Sequence, residues 1–418
     1  MTVNIRHRGR RWSEDFPKNS YELLDLADKL RNDYPFSVKI ENMFELDYVY
    51  NEFQISSLDD LVRLNLFSER FSEMYEEDEA IMFALMTKFP KAEISELLDM
   101  TYGLSSVTAY PCCNDEELTE LAFNNEWLTE FEDCPYEVLE YLDTDKVAAE
   151  VHRQREGYMY GSFYVEPDGY ISPEKEIELP KPETGFFRLL LAADRENRVP
   201  DRSSSEWLTL PCSKADLEVF EKRLGCPINK MICVTARSAL PMLHPVTVQR
   251  SEIPVLNGLA LKLSELSRDE VVKLKAVMEL EDVKSIGQTA QLISHLTEYE
   301  FDPLSMDASI YGKAYLFNNL PIGFDTEIFA SVDMEEFGRS ILSAKGGEMT
   351  SYGAVSGRSQ SLFTPISKGP DEDETEEFED DESEDEEEGL EAYLWNDYYI
   401  LAKGTSTVKI TEEELMKL

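Results

Sequence analysis

Histidine, cysteine and positive charge are all scarce in this 418-residue chain, and each shortage closes off a class of function. The four histidines (His7, His152, His244, His295) are scattered and make neither an H-E-x-x-H pair nor a Cys/His set with metal-ligand spacing. The six cysteines (Cys112, Cys113, Cys134, Cys212, Cys226, Cys233) are too sparse for a disulfide framework, and adjacent Cys112 and Cys113 are not a C-x-x-C pair. A reducing, cytoplasmic setting with free thiols is expected. There is no G-x-S-x-G and no glycine-rich phosphate loop, and the glycines at Gly346, Gly347 and Gly353 read as turns. No catalytic residue, metal or cofactor is expected on these grounds. No run approaches the ~18 apolar residues of a membrane span. The basic start MTVNIRHRGRRW has no apolar stretch behind it, so it is not read as a secretory signal.

Acid fills the gap left by base. There are 85 acidic against 40 basic residues, a net charge of −45. Such a chain is not suited to binding nucleic acid directly, because holding phosphates takes Lys and Arg. It should seek basic surfaces instead, and nucleic-acid-binding proteins own the largest of those. The excess is uneven. Residues 51–150 hold 25 acids and 5 bases, and residues 371–388 hold 15 acids and no base. The second run is low in complexity and is expected to be disordered.

The first region is different in kind. Residues 111–150 carry thirteen acids and one base, Lys146. The acids are Asp115, Glu116, Glu117, Glu120, Glu126, Glu130, Glu132, Asp133, Glu137, Glu140, Asp143, Asp145 and Glu150. Leu118, Leu121, Ala122, Phe123, Trp127, Leu128, Phe131, Val138, Leu139, Leu142, Val147 and Val151 interleave with them at helical spacing. The segment should therefore fold and fix its carboxylates in space. Some of the acidity has a structural explanation: Asn114 with Glu117 reads as a capping box, and Asp133 and Asp143 sit where helix N-caps belong. Glu120, Glu126, Glu130, Glu137 and Glu140 have no such role. Ordinary surface helices mix both signs of charge, and these do not. A rigid, one-signed surface repels itself, which suggests that the charge is the product: an imitation of the DNA backbone.

Elsewhere the chain reads as mixed. The basic start is taken as an edge strand or frayed end in preference to a docking arm. A helix is expected over residues 20–30, strands over 38–40 and 44–49, and helices from Ser57, over 73–89 and over ISELLDMTYGL. A hairpin closes the unit at 157–165, and the Pro- and charge-rich residues 166–184 read as a linker. Then the order begins again. FFRLLLAAD is a strand, and Ser213 with Asp216 caps a helix. Ala84-Leu85-Met86 matches Ala276-Val277-Met278, and Phe123-Asn124-Asn125 matches Phe317-Asn318-Asn319. VLEYLDTDKVAAEV matches IFASVDMEEFGRSI with Asp143 against Asp333, and Tyr160-Gly161 matches Tyr352-Gly353. The offset stays between 190 and 194, so a duplication is expected. The copies differ in charge, with 17 acids and 8 bases over residues 251–350. The end of the chain reads as a hairpin turning at Asn396-Asp397 and a short final helix.

Each copy resembles the ArdA antirestriction proteins. The second shows it at its start, in WLTLPCSKADLEVF (207–220). The first shows it at its end, in YPCCNDEEL (110–118) and VLEYLDTDKVAAEV (138–151), the latter like the family's C-terminal antirestriction motif. The resemblance covers roughly residues 14–165 and 185–356. It implies an elongated, non-enzymatic DNA mimic that occupies the DNA groove of Type I restriction–modification enzymes. Mobile genetic elements commonly carry the family, which usually dimerises through that motif. Carried onto this chain, the implied dimer or pseudo-dimer contacts are Leu139, Tyr141, Leu142, Val147, Phe329, Val332, Asp333 and Phe337. With two copies in one chain, either an intramolecular pseudo-dimer or a homodimer fits.

The expected fold is α+β: an elongated tandem repeat of small α/β and helical subdomains with a disordered acidic segment. Its parts are copy one (1–165), a linker (166–184), copy two (185–365), the acidic segment (366–389) and a short hairpin and helix (390–418). Two other functions share the composition. One is an acidic chaperone for basic proteins acting through residues 371–388. The other is a DNA mimic aimed at another defence nuclease.

Overall fold

The computed structural model describes the chain apart from residues 8–9, 31–34, 42–52, 133, 175–176, 182, 194–204, 244–251, 320–330, 358–361, 364–390, 396–397, 404–405 and 411–418. It divides into two compact units, Met1–Pro182 and Glu183–Leu418. Both mix helices with small antiparallel sheets.

The first unit opens with β1 (Thr2–His7), β2 (Arg10–Asp15), α1 (Ser20–Leu30), β3 (Phe36–Glu41) and β4 (Phe53–Ile55), whose sheet runs β2-β1-β3-β4. Alternation turns Val3, Ile5, Val38 and Ile40 inward. The sequence reading of residues 1–12 as a basic edge strand holds for residues 10–12 and is corrected for residues 2–7. β1 lies inside the sheet and its apolar alternation buries it, while the arginine-rich β2 takes the edge. The segment 44–49 read as a strand lies outside the described residues.

Three helices follow: α2 (Leu58–Ser72), α3 (Glu76–Lys88) and α4 (Ile94–Gly103). The Ser57 hydroxyl accepts from the Asp60 N–H and fixes the start of α2, with Asp59 and Asp60 in the favourable first turn. Ala84, Leu85 and Met86 are fully buried in α3. The first sheet, α1 and the three helices share one hydrophobic core.

A second core begins at β5 (Thr108–Pro111), α5 (Asp115–Asn124), α6 (Thr144–Arg155), β6 (Tyr158–Tyr160) and β7 (Phe163–Glu166), with strand order β5-β7-β6. The expected hairpin is present, Tyr160 pairing with Phe163 across Gly161 and Ser162. Residues 166–181 are not a free spacer: Tyr170, Ile177 and Leu179 pack on the first core, and Lys88 pairs with Asp168.

The second unit contains β8 (Phe187–Ala193), β9 (Ser205–Leu210), α7 (Lys214–Leu224), β10 (Met231–Ser238), α8 (Glu252–Ser264), α9 (Arg268–Leu280) and α10 (Ile286–His295). It continues with β11 (Glu300–Asp302), α11 (Ala308–Asn319), α12 (Met334–Ala344), β12 (Glu348–Thr350) and β13 (Gly353–Ser356). Ser213 and Asp216 form the expected capping box on α7. β9, whose Trp207-Leu208-Thr209-Leu210 pairs with β8, was not read as a strand from the sequence. In each unit the first sheet places its second strand beside the first and the first beside the third. The later sheet runs first-third-second in both units. The chain ends in β14 (Glu391–Trp395), β15 (Tyr398–Lys403) and β16 (Ser406–Ile410). β14 pairs with β15 from Trp395 and Tyr398 outward and β16 adds a strand, while the expected turn residues Asn396 and Asp397 lie outside the described residues. The expected final helix and the acidic run 371–388 lie outside the described residues.

Candidate functional site

The acidic stretch of the first unit folds around a small core. Leu118, Ala122 and Phe123 of α5 meet Ala148 and Val151 of α6, with Cys112, Leu128, Phe131 and Tyr164 completing the cluster. Only part of the stretch is α-helical. Residues Thr129–Phe131 and Tyr136–Tyr141 are 3-10 turns, so the helical spacing read across 111–150 holds for α5 and α6 and tightens between them. Burying one face of each element turns the other outward, and that face carries the acid. Asp115, Glu116, Glu117, Glu120, Glu126, Glu130, Glu132, Glu137, Glu140, Asp143 and Asp145 are exposed, and Glu150 is half-buried. Asp133 lies outside the described residues.

Local chemistry divides these carboxylates. The Asn114 side chain accepts from the Glu117 N–H at 2.9 Å, and the Glu117 carboxylate accepts from Cys113 N–H at 2.7 Å, one residue earlier than a standard capping box. Asp143 caps α6, accepting from the Lys146 N–H, and also pairs with the Lys146 ammonium at 2.6 Å. Those bonds hold its carboxyl below the usual range. Glu150 is held by Arg153 and, at 2.7 Å, by Gln154, which lowers its pKa to about 2. Arg155 pairs with Glu166 and stacks over Trp127 at 4.3 Å. All three cations of residues 108–166 are thereby engaged inside the subdomain. Among the described residues, Asp115, Glu116, Glu120, Glu126, Glu132, Glu137, Glu140 and Asp145 have no salt-bridge partner. Glu130 only receives a hydrogen bond, from Thr129 at 3.2 Å. On α5, Glu116 and Glu120 are one turn apart, roughly 6 Å along the axis.

Glu126 is held in an unusual way. It follows α5 with φ 51°, the left-handed conformation normally taken by glycine. Its N–H reaches Phe123 C=O, and Trp127 N–H reaches Ala122 C=O, the two bonds of a Schellman cap.

The residues assigned to a dimer contact separate. Leu139, Leu142 and Val147 lean half-buried on the local core, whereas Tyr141 is 84% exposed. In the second unit Asp333 caps α12, accepting from Glu335 and Glu336 N–H at 3.0 Å each, as Asp143 caps α6. Val332 is exposed and Phe337 packs near Tyr315; Phe329 lies outside the described residues. The match of Tyr160-Gly161 with Tyr352-Gly353 does not survive in register. Gly161 sits in its hairpin turn, whereas Tyr352 occupies the turn and Gly353 begins the strand pair.

Sequence reasoning passed over acids outside 111–150. Glu69, Glu73, Glu76 and Glu77 are exposed around the α2–α3 turn. A Cβ built on Gly161 would lie 3.3 Å from the Glu76 carboxylate, so this group adjoins the β6–β7 turn. The excess of acid across 51–150 was the available signal. The second unit is poorer: α11 has no acid, and Glu335 is paired with Arg339. Burial pushes the thiols of Cys112, Cys212 and Cys233 up to about 11, leaving them protonated at neutral pH. All six cysteines are unpaired. No helix among the described residues is long and apolar enough to cross a membrane. No protein-family model matches the chain, and no curated protein matches it in sequence.

Proposed function

We propose that this protein is a cytoplasmic DNA mimic of the antirestriction type, occupying the DNA-binding groove of a Type I restriction–modification enzyme and performing no chemistry. The observation that carries the reading is the folded subdomain of residues 108–166. Its cations are consumed by internal pairs, while eleven carboxylates, Glu117, Glu130 and Glu156 included, stand exposed with no salt-bridge partner among the described residues. B-DNA carries a charge per ~1.7 Å of axis, and its binders gain much of their affinity by neutralising phosphates. Carboxylates fixed on a core offer the same payment without a nucleic acid, and occupancy alone then blocks the groove. The shared strand orders of the two units, and the caps at Asp143 and Asp333, support reading the chain as a tandem duplication. On this reading it acts as a pseudo-dimer or a homodimer, with the first copy supplying most of the charge.

The test is a DNA-cleavage assay with a Type I enzyme across a salt series. Inhibition is expected to weaken steeply as salt rises. Changing Glu120, Glu126, Glu130, Glu137 and Glu140 together to Gln is expected to abolish it, while single changes do little. Full inhibition by the quintuple variant overturns the proposal. A polycation chaperone acting through the fifteen acids of residues 371–388 is separated by deleting 366–389. A folded mimic keeps most of its inhibition, and a tail-driven chaperone loses its activity.

A further inference from the structure

We propose that the 3-10 turn Tyr136–Tyr141 is a cradle for arginine, so that the partner surface is an arginine-bearing segment and not merely a cationic one. The inference rests on the DNA-mimic reading and sharpens it from charge to side-chain chemistry.

Tyr136 is 62% exposed, Val138 37% and Tyr141 84%, an aromatic and aliphatic patch displayed in the most acidic part of the fold. Exposed aromatics grouped in this way mark interaction surfaces. In a 3-10 turn, positions three apart align at about 6 Å. Leu139 leans on the local core, and Tyr136 on the same side touches Phe123 edge-on while keeping most of its surface exposed. Glu137 aligns with Glu140, and Val138 with Tyr141. A carboxylate row thus runs beside an apolar row ending in a free ring, and neither glutamate has a salt-bridge partner among the described residues.

The chain holds three of its arginines tightly with this combination, and Lys18 and Lys88 more loosely, over phenylalanine at 5.5 and 5.9 Å. Arg155 lies over Trp127 while paired with Glu166. Arg188 and Arg237 lie over Trp207 at 5.1 and 4.7 Å, both paired with Glu183. Arg70 shows the ring half alone: it stacks on Tyr102 at 3.7 Å and donates to the hydroxyl and carbonyl of Thr101. The Tyr136–Tyr141 turn has the ring and the carboxylates and no arginine. A guanidinium is planar and weakly hydrated, so it can stack and donate to a carboxylate at once. An ammonium keeps its water and gains less from the ring.

The test compares short oligo-arginine and oligo-lysine peptides of equal length, titrated into the full chain at fixed ionic strength. Wild type is expected to bind the arginine peptide about fivefold more tightly, the size of an exposed cation–π contribution. The double variant Y136L/Y141L keeps every carboxylate and is expected to bring the ratio to near one, with the affinity for lysine peptide unchanged. The acidic run 371–388 is common to both proteins and cancels in the comparison. The arginine peptide should also protect Tyr141 from nitration by tetranitromethane more than the lysine peptide does. Tyr141 touches little and Tyr136 meets the core only through Phe123, so a melting temperature matched to wild type shows the variant to be folded. Equal affinities in wild type, a preference that survives the double variant, or equal nitration each overturn the inference. Restriction inhibition without arginine preference removes the cradle and leaves the mimic. Arginine preference without restriction inhibition does the reverse.

Discussion

Tyr164 and Val165 are neighbours in β7 and lie fully buried in different cores, Tyr164 among α5 and α6 and Val165 among the helices α2–α4. Strand alternation does this: one residue per face, two cores from one strand. In the second unit Ala354 and Val355 of β13 divide in the same way, between a small core with Tyr311 and Leu342 and the larger one. Where the first unit fills its smaller core with Tyr164, the second brings helices together. A Cβ on Gly338 would lie 1.8 Å from Ala308 C=O, and one on Gly312 would lie 2.6 Å from Met334 C=O.

Gly157 makes room for the Tyr164 ring, since a Cβ there would fall 2.2 Å from Cζ in a side chain with no space to retreat. Gly157→Ala is expected to destabilise the first unit by about 1–3 kcal/mol, the usual cost of overpacking. The Tyr164 hydroxyl is buried without a well-formed hydrogen bond, and burial pushes its pKa up to about 12. Tyr164→Phe is therefore expected to be neutral or slightly stabilising. Chemical denaturation of the two variants checks both signs, and a Phe variant as unstable as the Ala variant contradicts this account.

Glu126 occupies a glycine position. A non-glycine residue in the left-handed region costs roughly 1–2 kcal/mol, so Glu126→Gly is expected to gain about 1 kcal/mol in thermal stability. The same change deletes a carboxylate from the proposed mimic surface, and inhibition should fall slightly as stability rises. A loss of stability would show that the Glu126 side chain contributes more to the fold than its backbone strain removes.

Helices that open on a local cap signal were legible, whereas α8 and α11 were not, and the cap at Asp333 emerged only from its match with Asp143. Ser57, Ser213, Asn114, Asp143 and Asp333 all cap the helices they precede, and the apolar spacing of α1 sets its whole length. The place of β1 was not legible, because strand order depends on pairings distant in sequence and the arginines suggested an edge. Nor were the 3-10 turns between α5 and α6, whose apolar residues mimic a helical stripe. Within the site, the sequence could count the acids but could not reveal that Lys146, Arg153 and Arg155 are already engaged.

Acid titration separates two kinds of carboxylate. Burial, then the neighbouring Glu76, raises the pKa of Glu79. The folded state therefore holds that proton more tightly than the unfolded chain, so Glu79 opposes folding at neutral pH and less so as pH falls through its raised value. Glu79→Gln is expected to be more stable than wild type near pH 7, the difference shrinking toward pH 4.5. Glu150 behaves oppositely. Its depressed pKa of about 2 means that its stabilising pair is present above the unfolded value of 4.5 and is lost as pH falls toward 2. The pair is exposed and its contribution small, so a Glu150→Gln variant is expected to melt only slightly below wild type above pH 4.5 and together with it near pH 2. Melting temperatures across this range check both slopes.

Lys146 and Arg153 cancel charge on a surface proposed to work through charge, at 2.6 Å from Asp143 and in a bidentate pair with Glu150. Both cations are exposed, and exposed pairs contribute little to stability. Removing them should hardly affect the fold, since the Asp143 cap depends on the backbone N–H of Lys146 and not on its ammonium. It would free two carboxylates and make the surface more negative. The double variant Lys146→Ala, Arg153→Ala is therefore expected to inhibit DNA cleavage at lower concentration than wild type. The gain should be largest at low salt and fade as the Debye length shrinks below about 10 Å. Half-inhibitory concentrations measured across a salt series decide the matter. Equal or weaker inhibition at low salt, with the melting temperature unchanged, would mean that the surface does not act through its negative charge.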